Sequence, residues 1–339
     1  MRAEETKIGN GRGNKDQVEK QQVRKQRTRS VGSMVTPLRI GTRGSALALW
    51  QAQQVVECLA PLVAPRPVEV VIVETHGDRD QASALSRLGG FGVFTKAIQQ
   101  ALLEGRVDLA VHSLKDLPTA PVPGIEWVAV LPRGPVGDAF VSSRYACFED
   151  LPEGAVVGTS SLRRRAQLWH RRPDLHLVEL RGNVETRLRK LDAGLYDAIV
   201  LAEAGLRRLG LQEHIREVLD IRWMLPAVGQ GAIGIECRSD DVHTRRLVEQ
   251  LNDPATWSCV QAERALLATL GGGCLVPIGV HSQLAGQNLT LRAVVLSADG
   301  KRCIAATHQG PWQTPRAIGV ELAARLRVEG ADELLTPRV

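Results

Sequence analysis

The chain has 339 residues, is 44% hydrophobic and 24% charged, and holds only 4% aromatic residues. That is the composition of a soluble protein with room for two or three domains and a core that needs no disulfide staples, and so few aromatics exclude a broad stacking platform for single-stranded nucleic acid. The formal charge of +6 is concentrated at one end: residues 1–34 carry nine basic side chains against four acidic ones, a surplus of five, so the body is close to neutral.

The first 36 residues have no apolar periodicity and read as a disordered basic tail. They lack the apolar core of a secretory signal, and no apolar run in the chain reaches membrane-spanning length, so a cytoplasmic protein without membrane contact is expected. From residue 37 the pattern changes. "LRIGTR" predicts a strand and turn, "SALALWQAQQVVECLAPL" a helix, "VEVVIVET" a strand, "VFTKAIQQALLEG" a helix stopped at Gly105, and "VDLAVHSL" a strand. A second alternation follows: "GAVVGTSS", "LHLVELRGN" and "YDAIVLAEAG" predict strands ending in turns, each leading into a helix that begins at "LRRRAQLWHRR", "VETRLRKLDAG" or "LRRLGL". "LPRGPVGD" and "LPAVGQGAIGIEC" have the punctuation of crossovers between the two units. Beyond them come a helix, "ATWSCVQAERALLATL", two strands around an Asp-Gly turn in "LTLRAVVLSADGKRCIAATHQG", and a last helix, "IGVELAARLRVEGADELL". The fold class expected is α/β, with two lobes of parallel-rich sheet around a central cleft and a small α+β domain at the C-terminus. The domains are expected at 37–135 with 226–249, at 136–225, and at 250–339.

In open α/β sheets ligands bind beyond the carboxyl ends of the strands, where helix N-termini favour anions. The turns at those ends carry Arg43, Lys115, Arg163, Arg164, Arg181, Arg187 and Arg208. Ser45, Ser160 and Ser161 stand there as helix caps or as direct donors. One such arginine is usually solvated; this many point to an anion cleft, although consecutive helical residues differ by about 100°, so Arg163, Arg164 and Arg165 cannot all face it. "LGGFGVF" lacks the Gly-Lys-Ser/Thr ending of a phosphate loop, and GxGxxG after a first strand is missing, so carboxylates fit better than nucleotide phosphates. Asp116, beside Lys115 in "HSLKDLP", is either a turn residue before Pro118 or a carboxylate that stabilises positive charge and moves protons. None of the six cysteines forms a CxxC pair or a metal-ligand spacing, so free thiols and no metal are expected. Cys274, in "LGGGCLVPIG", is either a small buried hydrophobe or a nucleophile or attachment point.

"RIGTRGSALALWQAQ", "VDLAVHSLKDLPT", "GTSSLRRRAQL", "LRGNVETRLRKLD", "LPAVGQGAIGIECR", "AERA" and "GGGCLVPIG" stand in the order found in the porphobilinogen deaminase (hydroxymethylbilane synthase) family. The resemblance spans about residues 37–335 and is carried by the ordered set. It implies two lobes like a periplasmic binding protein, plus a third domain. The implied reaction is the head-to-tail condensation of four porphobilinogen molecules, with loss of ammonia, to the linear tetrapyrrole hydroxymethylbilane, a step in haem and other tetrapyrrole biosynthesis. The implied cofactor is a dipyrromethane held by a thioether to Cys274, and the implied catalytic carboxylate is Asp116. Arg43, Ser45, Lys115, Ser161, Arg163, Arg164, Arg181, Arg187 and Arg208 match contacts to cofactor or substrate, and Gln230 falls in the crossover near the cleft.

Two positions depart from the family pattern. Phe91 stands where a lysine is usual, and Gly271 stands where a glutamate usually precedes Gly-Gly-Cys. A monomer binding porphobilinogen, with no nucleic-acid partner, is expected. The competing readings are a non-catalytic two-lobed binding protein for a dicarboxylate, which would need neither Cys274 nor Asp116, and a nucleic-acid binder working through the basic tail.

Overall fold

A computed structural model of the chain describes residues 36–75, 95–271 and 276–335. The expectations for the tail before residue 36, for Phe91 and for Cys274 fall outside the described residues.

The first sheet is built from β1 (Leu38–Thr42), β2 (Val68–Ile72), β3 (Leu109–Ser113), β4 (Ile125–Val130) and β10 (Ile233–Arg238), in the order β2-β1-β3-β10-β4. β1 pairs in parallel with β2 and β3, while β10 runs antiparallel between β3 and β4. Helix α1 (Ala46–Val63) buries Gln51, Ala52, Val55 and Leu59, one stripe at helical spacing, and Ser45 caps it. Its Ala52, Val55 and Leu59 meet Leu38, Ile40, Leu109, Val111, Ile233 and Ile235 in one apolar core. Helix α2 (Lys96–Leu103) covers the other face through Ile98, Ala101 and Leu102, and Gly105, at φ 66°, follows its end as the sequence predicts.

The second sheet repeats the plan. Its strands β5 (Asp138–Val141), β6 (Val156–Gly158), β7 (His176–Val178), β8 (Ala198–Ala202) and β9 (Glu217–Val218) lie in the order β7-β6-β8-β5-β9. β6 is parallel to β7 and β8; β5 is antiparallel to β8. Helices α3 (Leu162–Arg171), α4 (Val184–Asp192) and α5 (Glu203–Arg208) follow β6, β7 and β8. In each sheet the antiparallel strand beside the central parallel one is the strand that arrives from the other lobe. The chain enters the second sheet as β5 and returns to the first as β10. Their registers put Asp138 opposite Ala202 and Ile233 opposite Ser113, so both crossovers reach the carboxyl ends of β8 and β3. They pass so closely that a Cβ on Gly231, whose φ is +84°, would stand 2.6 Å from the Gly134 carbonyl oxygen.

After α6 (Val242–Glu249) comes the third unit: α7 (Pro254–Thr269), an antiparallel sheet of β11 (Ile278–Ala285), β12 (Asn288–Leu296) and β13 (Cys303–Pro311), then α8 (Pro315–Val328) and α9 (Ala331–Leu335). α7 and α8 pack Leu266, Leu322 and Leu326 against Val280, Leu291 and Val295 of the sheet.

The α/β class with two parallel-rich sheets and a separate small α+β unit is the one expected from the sequence. Four details differ. "IGIEC" is a central strand, β10, rather than crossover. The last sheet has three strands, because "IGVHSQLA" pairs along its whole length with β12. α5 begins at Glu203 rather than Leu206, with a carboxylate at the positive end of the helix accepting from Arg207 at 2.7 Å. The last helix is broken into α8 and α9 by Gly330, at φ 93°. Among the described residues no helix is long and apolar enough to cross a membrane.

Candidate functional site

β3 ends in a tight turn, Leu114–Asp116, that carries Lys115 and Asp116. Several contacts fix this turn. The Leu114 amide donates to the Ala232 carbonyl at 3.0 Å, and the Leu117 amide to that of Leu114 at 3.1 Å. Just before it, the buried Gln51 amide of α1 donates to Ser113 Oγ at 2.8 Å. Burial pulls the Lys115 ammonium down to about 8; Asp116 and Asp138 oppose the shift, and Arg164 and Arg163 add to it. The turn therefore looks across at the second lobe's arginines.

Those arginines gather on one carboxylate. Asp138, fully buried at the start of β5, accepts from Arg163 Nη1 at 2.7 Å, from Arg164 Nη2 at 2.6 Å and Nε at 3.0 Å, and from Gln230 Nε2 at 3.0 Å. Burial raises the Asp138 carboxyl, but the two guanidinium charges and their hydrogen bonds outweigh it and hold it well below the ordinary range. Arg163 also donates to the Leu225 carbonyl at 2.6 Å, and Arg164 to that of Val200 at 2.9 Å. Both sit on the buried face of α3, with Gln167; Arg165 turns instead over the Trp169 ring, 4.9 Å from its centroid. Ser161 caps α3, accepting from the Arg164 amide at 3.4 Å, and Ser45 does the same for α1, accepting from Ala48 at 3.3 Å.

Arg187 and Arg181 complete the cationic wall. Burial pulls Arg187 down to about 10, with Arg164 lowering it, Asp116 raising it and Arg181 lowering it further, so it stays charged at neutral pH. Arg187 Nε donates to the Gly182 carbonyl at 2.8 Å. Three buried atoms have no hydrogen-bond partner among the described residues here: Arg181 Nη1, Arg163 Nε and Gln230 Oε1. Arg208 lies slightly apart. It donates to the Gly231 carbonyl at 2.6 Å and stands over Trp50 of α1, 5.4 Å from the ring centroid, so it spans the two lobes. Burial pulls it down to about 10. Arg43 is half-buried in the turn before α1. The structure thus brings Lys115, Asp116, Arg163, Arg164, Arg181, Arg187 and Gln230 into one electrostatic cluster. It places Ser45 and Ser161 at helix starts and Arg208 at the crossovers. Cys274 lies outside the described residues.

Sequence reasoning missed several residues that support this cluster. Asp138 is the buried counter-charge of Arg163 and Arg164. Arg133 donates to Glu263 at 2.7 and 3.0 Å and to the Gln230 carbonyl at 2.9 Å, while the Gly229 amide donates to Glu263 at 2.8 Å; the fully buried Glu263 carboxylate, with the half-buried Arg133, ties both crossovers to α7. The signal for Asp138 was present: two adjacent arginines on an apolar helix face require a buried anion, and "GPVGDAF" supplies one beside the crossover. Among the described residues no cluster of His, Cys, Asp and Glu could hold a metal ion.

Some solved structures of binding proteins resemble the chain loosely. A putative methionine-binding lipoprotein from Bacillus subtilis is 10% identical with a TM-score of 0.40, over 64% of this chain and 90% of that one. A periplasmic substrate-binding protein of an ABC transporter from Coxiella burnetii is 16% identical with a TM-score of 0.41, over 67% of this chain and 96% of that one. A nutrient-binding protein from Burkholderia cenocepacia bound to methionine is 15% identical with a TM-score of 0.40, over 68% and 95%. Family models speak to most of the length: "Porphobilinogen deaminase, dipyromethane cofactor binding domain" matches residues 38–246, and "Porphobilinogen deaminase, C-terminal domain" matches residues 257–328. The first match takes in both sheets, the two crossovers and the cationic cluster, the second most of the third unit, and the chain therefore belongs to the porphobilinogen deaminase family.

Proposed function

We propose that the chain is a hydroxymethylbilane synthase: it joins four porphobilinogen molecules head to tail, releases ammonia at each step, and elongates from a dipyrromethane attached to Cys274. The observation that carries this reading is a carboxylate, Asp116, whose charge acts on the cationic groups Lys115 and Arg187 where the two lobes meet. Porphobilinogen carries an acetate and a propionate on a pyrrole, so a growing chain is a polyanion that needs several cations along its path.

The residues fit a dipyrromethane. The orphaned donors Arg181 Nη1 and Arg163 Nε complement carboxylates, and the orphaned acceptor Gln230 Oε1 complements a pyrrole N–H. Lys115 and Arg187 would hold further carboxylates. When bound, the group supplies a pyrrole with a free α-carbon from which a chain can start.

The chain's own residues do the rest. Loss of ammonia breaks the substrate's aminomethyl C–N bond and leaves a methylene cation conjugated with the pyrrole nitrogen. The half-buried Asp116 carboxylate stabilises that charge, since a fixed anion beside a developing cation is worth more there than in bulk solvent. After the new C–C bond forms, a proton leaves the attacked pyrrole carbon, and Asp116 takes it. The arginines neutralise each added pair of carboxylates. Asp138 keeps Arg163 and Arg164 in place. We read the protein as a monomer working in the cytoplasm.

Intact-mass spectrometry tests this reading. The purified protein should carry a covalent dipyrrole, and Cys274→Ala should carry none and consume no porphobilinogen. Unmodified protein that makes hydroxymethylbilane at the wild-type rate would overturn it.

A further inference from the structure

We propose that Arg264 is a positioning residue that sets the place of the Asp116 carboxylate from the third unit; the proposal rests on the reading of Asp116 just given. Arg264 projects from α7 and donates from Nη1 to the Leu117 carbonyl at 2.9 Å and from Nη2 to the Pro118 carbonyl at 2.6 Å. These are the two residues directly after Asp116. Pro118 has no amide hydrogen, so its carbonyl is the backbone group by which that point can be held. A guanidinium fork is suited to gripping two oxygens at once.

The grip is itself held. The guanidinium of Arg264 lies over the Trp127 ring, 5.0 Å from its centroid, and Trp127 stacks on Trp257 of α7 at 4.3 Å. Leu114 and Leu117 of the turn pack with Val260 of α7 and with Val130 and Ala232 in the same small core. The neighbouring Glu263 holds Arg133 and Gly229 of the crossovers. Adjacent residues of α7 thus grip the floor of the cleft and the turn that bears Asp116. The same helix leads, through Gly271, to the stretch containing Cys274. α7 therefore holds the turn of the proposed proton acceptor, and Arg264 is its contact with that turn. It touches the backbone after Asp116, and its effect on the reaction passes through that carboxylate.

The test uses the full-length holoenzyme with Arg264→Met, which keeps the stem over Trp127 and removes the donors, and Arg264→Lys, which restores a single point donor. In Arg264→Met, kcat should fall about ten- to a hundredfold with little change in KM, the range expected when a reacting group is misplaced by about an ångström. Arg264→Lys should recover part of the loss. In an Asp116→Glu background, where the carboxylate is already displaced, the Arg264→Met loss should shrink to about threefold or less, since residues acting through one group are not additive. An equal loss in both backgrounds, or a rise in KM alone, would overturn the proposal. Hydrogen exchange supplies a readout independent of the reaction. The Leu117 amide should exchange faster in Arg264→Met while the amides of α7 keep their protection. Unchanged protection at Leu117 would overturn the positioning role even if the enzyme proved to act on porphobilinogen as proposed, and faster exchange there would support it even if the substrate were different.

Discussion

The amide nitrogen of Gln230 lies 3.0 Å from the carboxylate of Asp138, so the chain returning to the first sheet touches the residue with which it entered the second. Gln230 also donates to the Val136 carbonyl at 2.7 Å, and the Gly134 amide to that of Gly231 at 3.0 Å. The two crossovers are therefore one hydrogen-bonded unit beneath the cluster, and the arginines of the second lobe are anchored to it through Asp138.

Removing that anchor should be costly. Asp138→Asn leaves Arg163 and Arg164 buried without a full counter-charge, and breaking a buried pair from one side typically costs about 3–5 kcal/mol. Urea unfolding should show a loss of that order. Because the folded state holds the Asp138 carboxyl well below its ordinary range, the unfolded chain binds the extra proton first on acidification. The stability that Asp138 contributes is therefore complete at neutral pH and is lost as pH falls below about 4. The variant should lack that part of the acid dependence. A stable Asn variant with the wild-type acid profile would contradict this account of the cluster.

Lys115 should set the alkaline limb of activity. Its ammonium is lowered to about 8 by burial, so a growing share is neutral above that pH and cannot hold a carboxylate. We expect kcat/KM to fall above pH 8 and the limb to move upward in Lys115→Arg, because that quantity reports the free enzyme. Stability should respond in the opposite sense. Between about 8 and the ordinary lysine value near 10.4, the unfolded chain holds the proton that the folded one has lost, so the contribution of Lys115 to stability rises with pH in that window. A pH–rate profile unchanged by Lys115→Arg would remove Lys115 from substrate binding.

Arg181 should matter to elongation more than to folding. Its Nη1 is buried without a partner among the described residues, so it is a donor held ready. A hydrogen bond to a charged group is worth about 1.5–3 kcal/mol, so Arg181→Ala should slow cofactor assembly or a later addition about ten- to a hundredfold. Quench-flow separation of the intermediates, with a melting curve alongside, checks this. Wild-type elongation kinetics would exclude the residue from the cleft.

Much of this site was legible in the sequence, because strand ends followed by polar turns are where α/β sheets place ligands. Lys115, Asp116, Arg164 and Arg187 stand where that rule puts them. What the sequence did not show was partnership across distance. Arg163 and Arg164 read as cations for a bound anion, yet both are spent in part on Asp138, 25 and 26 residues earlier. "IGIEC" read as connection because its neighbours β3 and β4 lie more than a hundred residues away and nothing local announces the pairing. "IGVHSQLA" was masked by the glycine and proline run before it. Gly271 illustrates the reverse: it follows the end of α7 at φ +68°, a backbone position that suits glycine, which accounts locally for a residue that departs from the family pattern.

Charge rather than shape should decide the role of Asp116. Asp116→Asn keeps the size but loses the anion, whereas Asp116→Glu keeps the anion and shifts it by one methylene. Asn should therefore be far worse than Glu in single-turnover experiments on protein whose cofactor content is known. Proton transfer alone accounts for about 10²–10⁴ in rate. Equal activity of the Asn variant and the wild type would return Asp116 to a turn residue.

The most direct test of the account is intact-mass spectrometry of the purified protein after brief exposure to limiting porphobilinogen. The account predicts a ladder of covalent species above the resting mass, each step equal to one porphobilinogen less ammonia, collapsing to the resting mass as one water cleaves the tetrapyrrole from the cofactor and hydroxymethylbilane is released. In Asp116→Asn the ladder should fail to climb. A single unchanging mass while porphobilinogen binds reversibly would contradict the account, leaving the cleft a site that holds carboxylates without joining them.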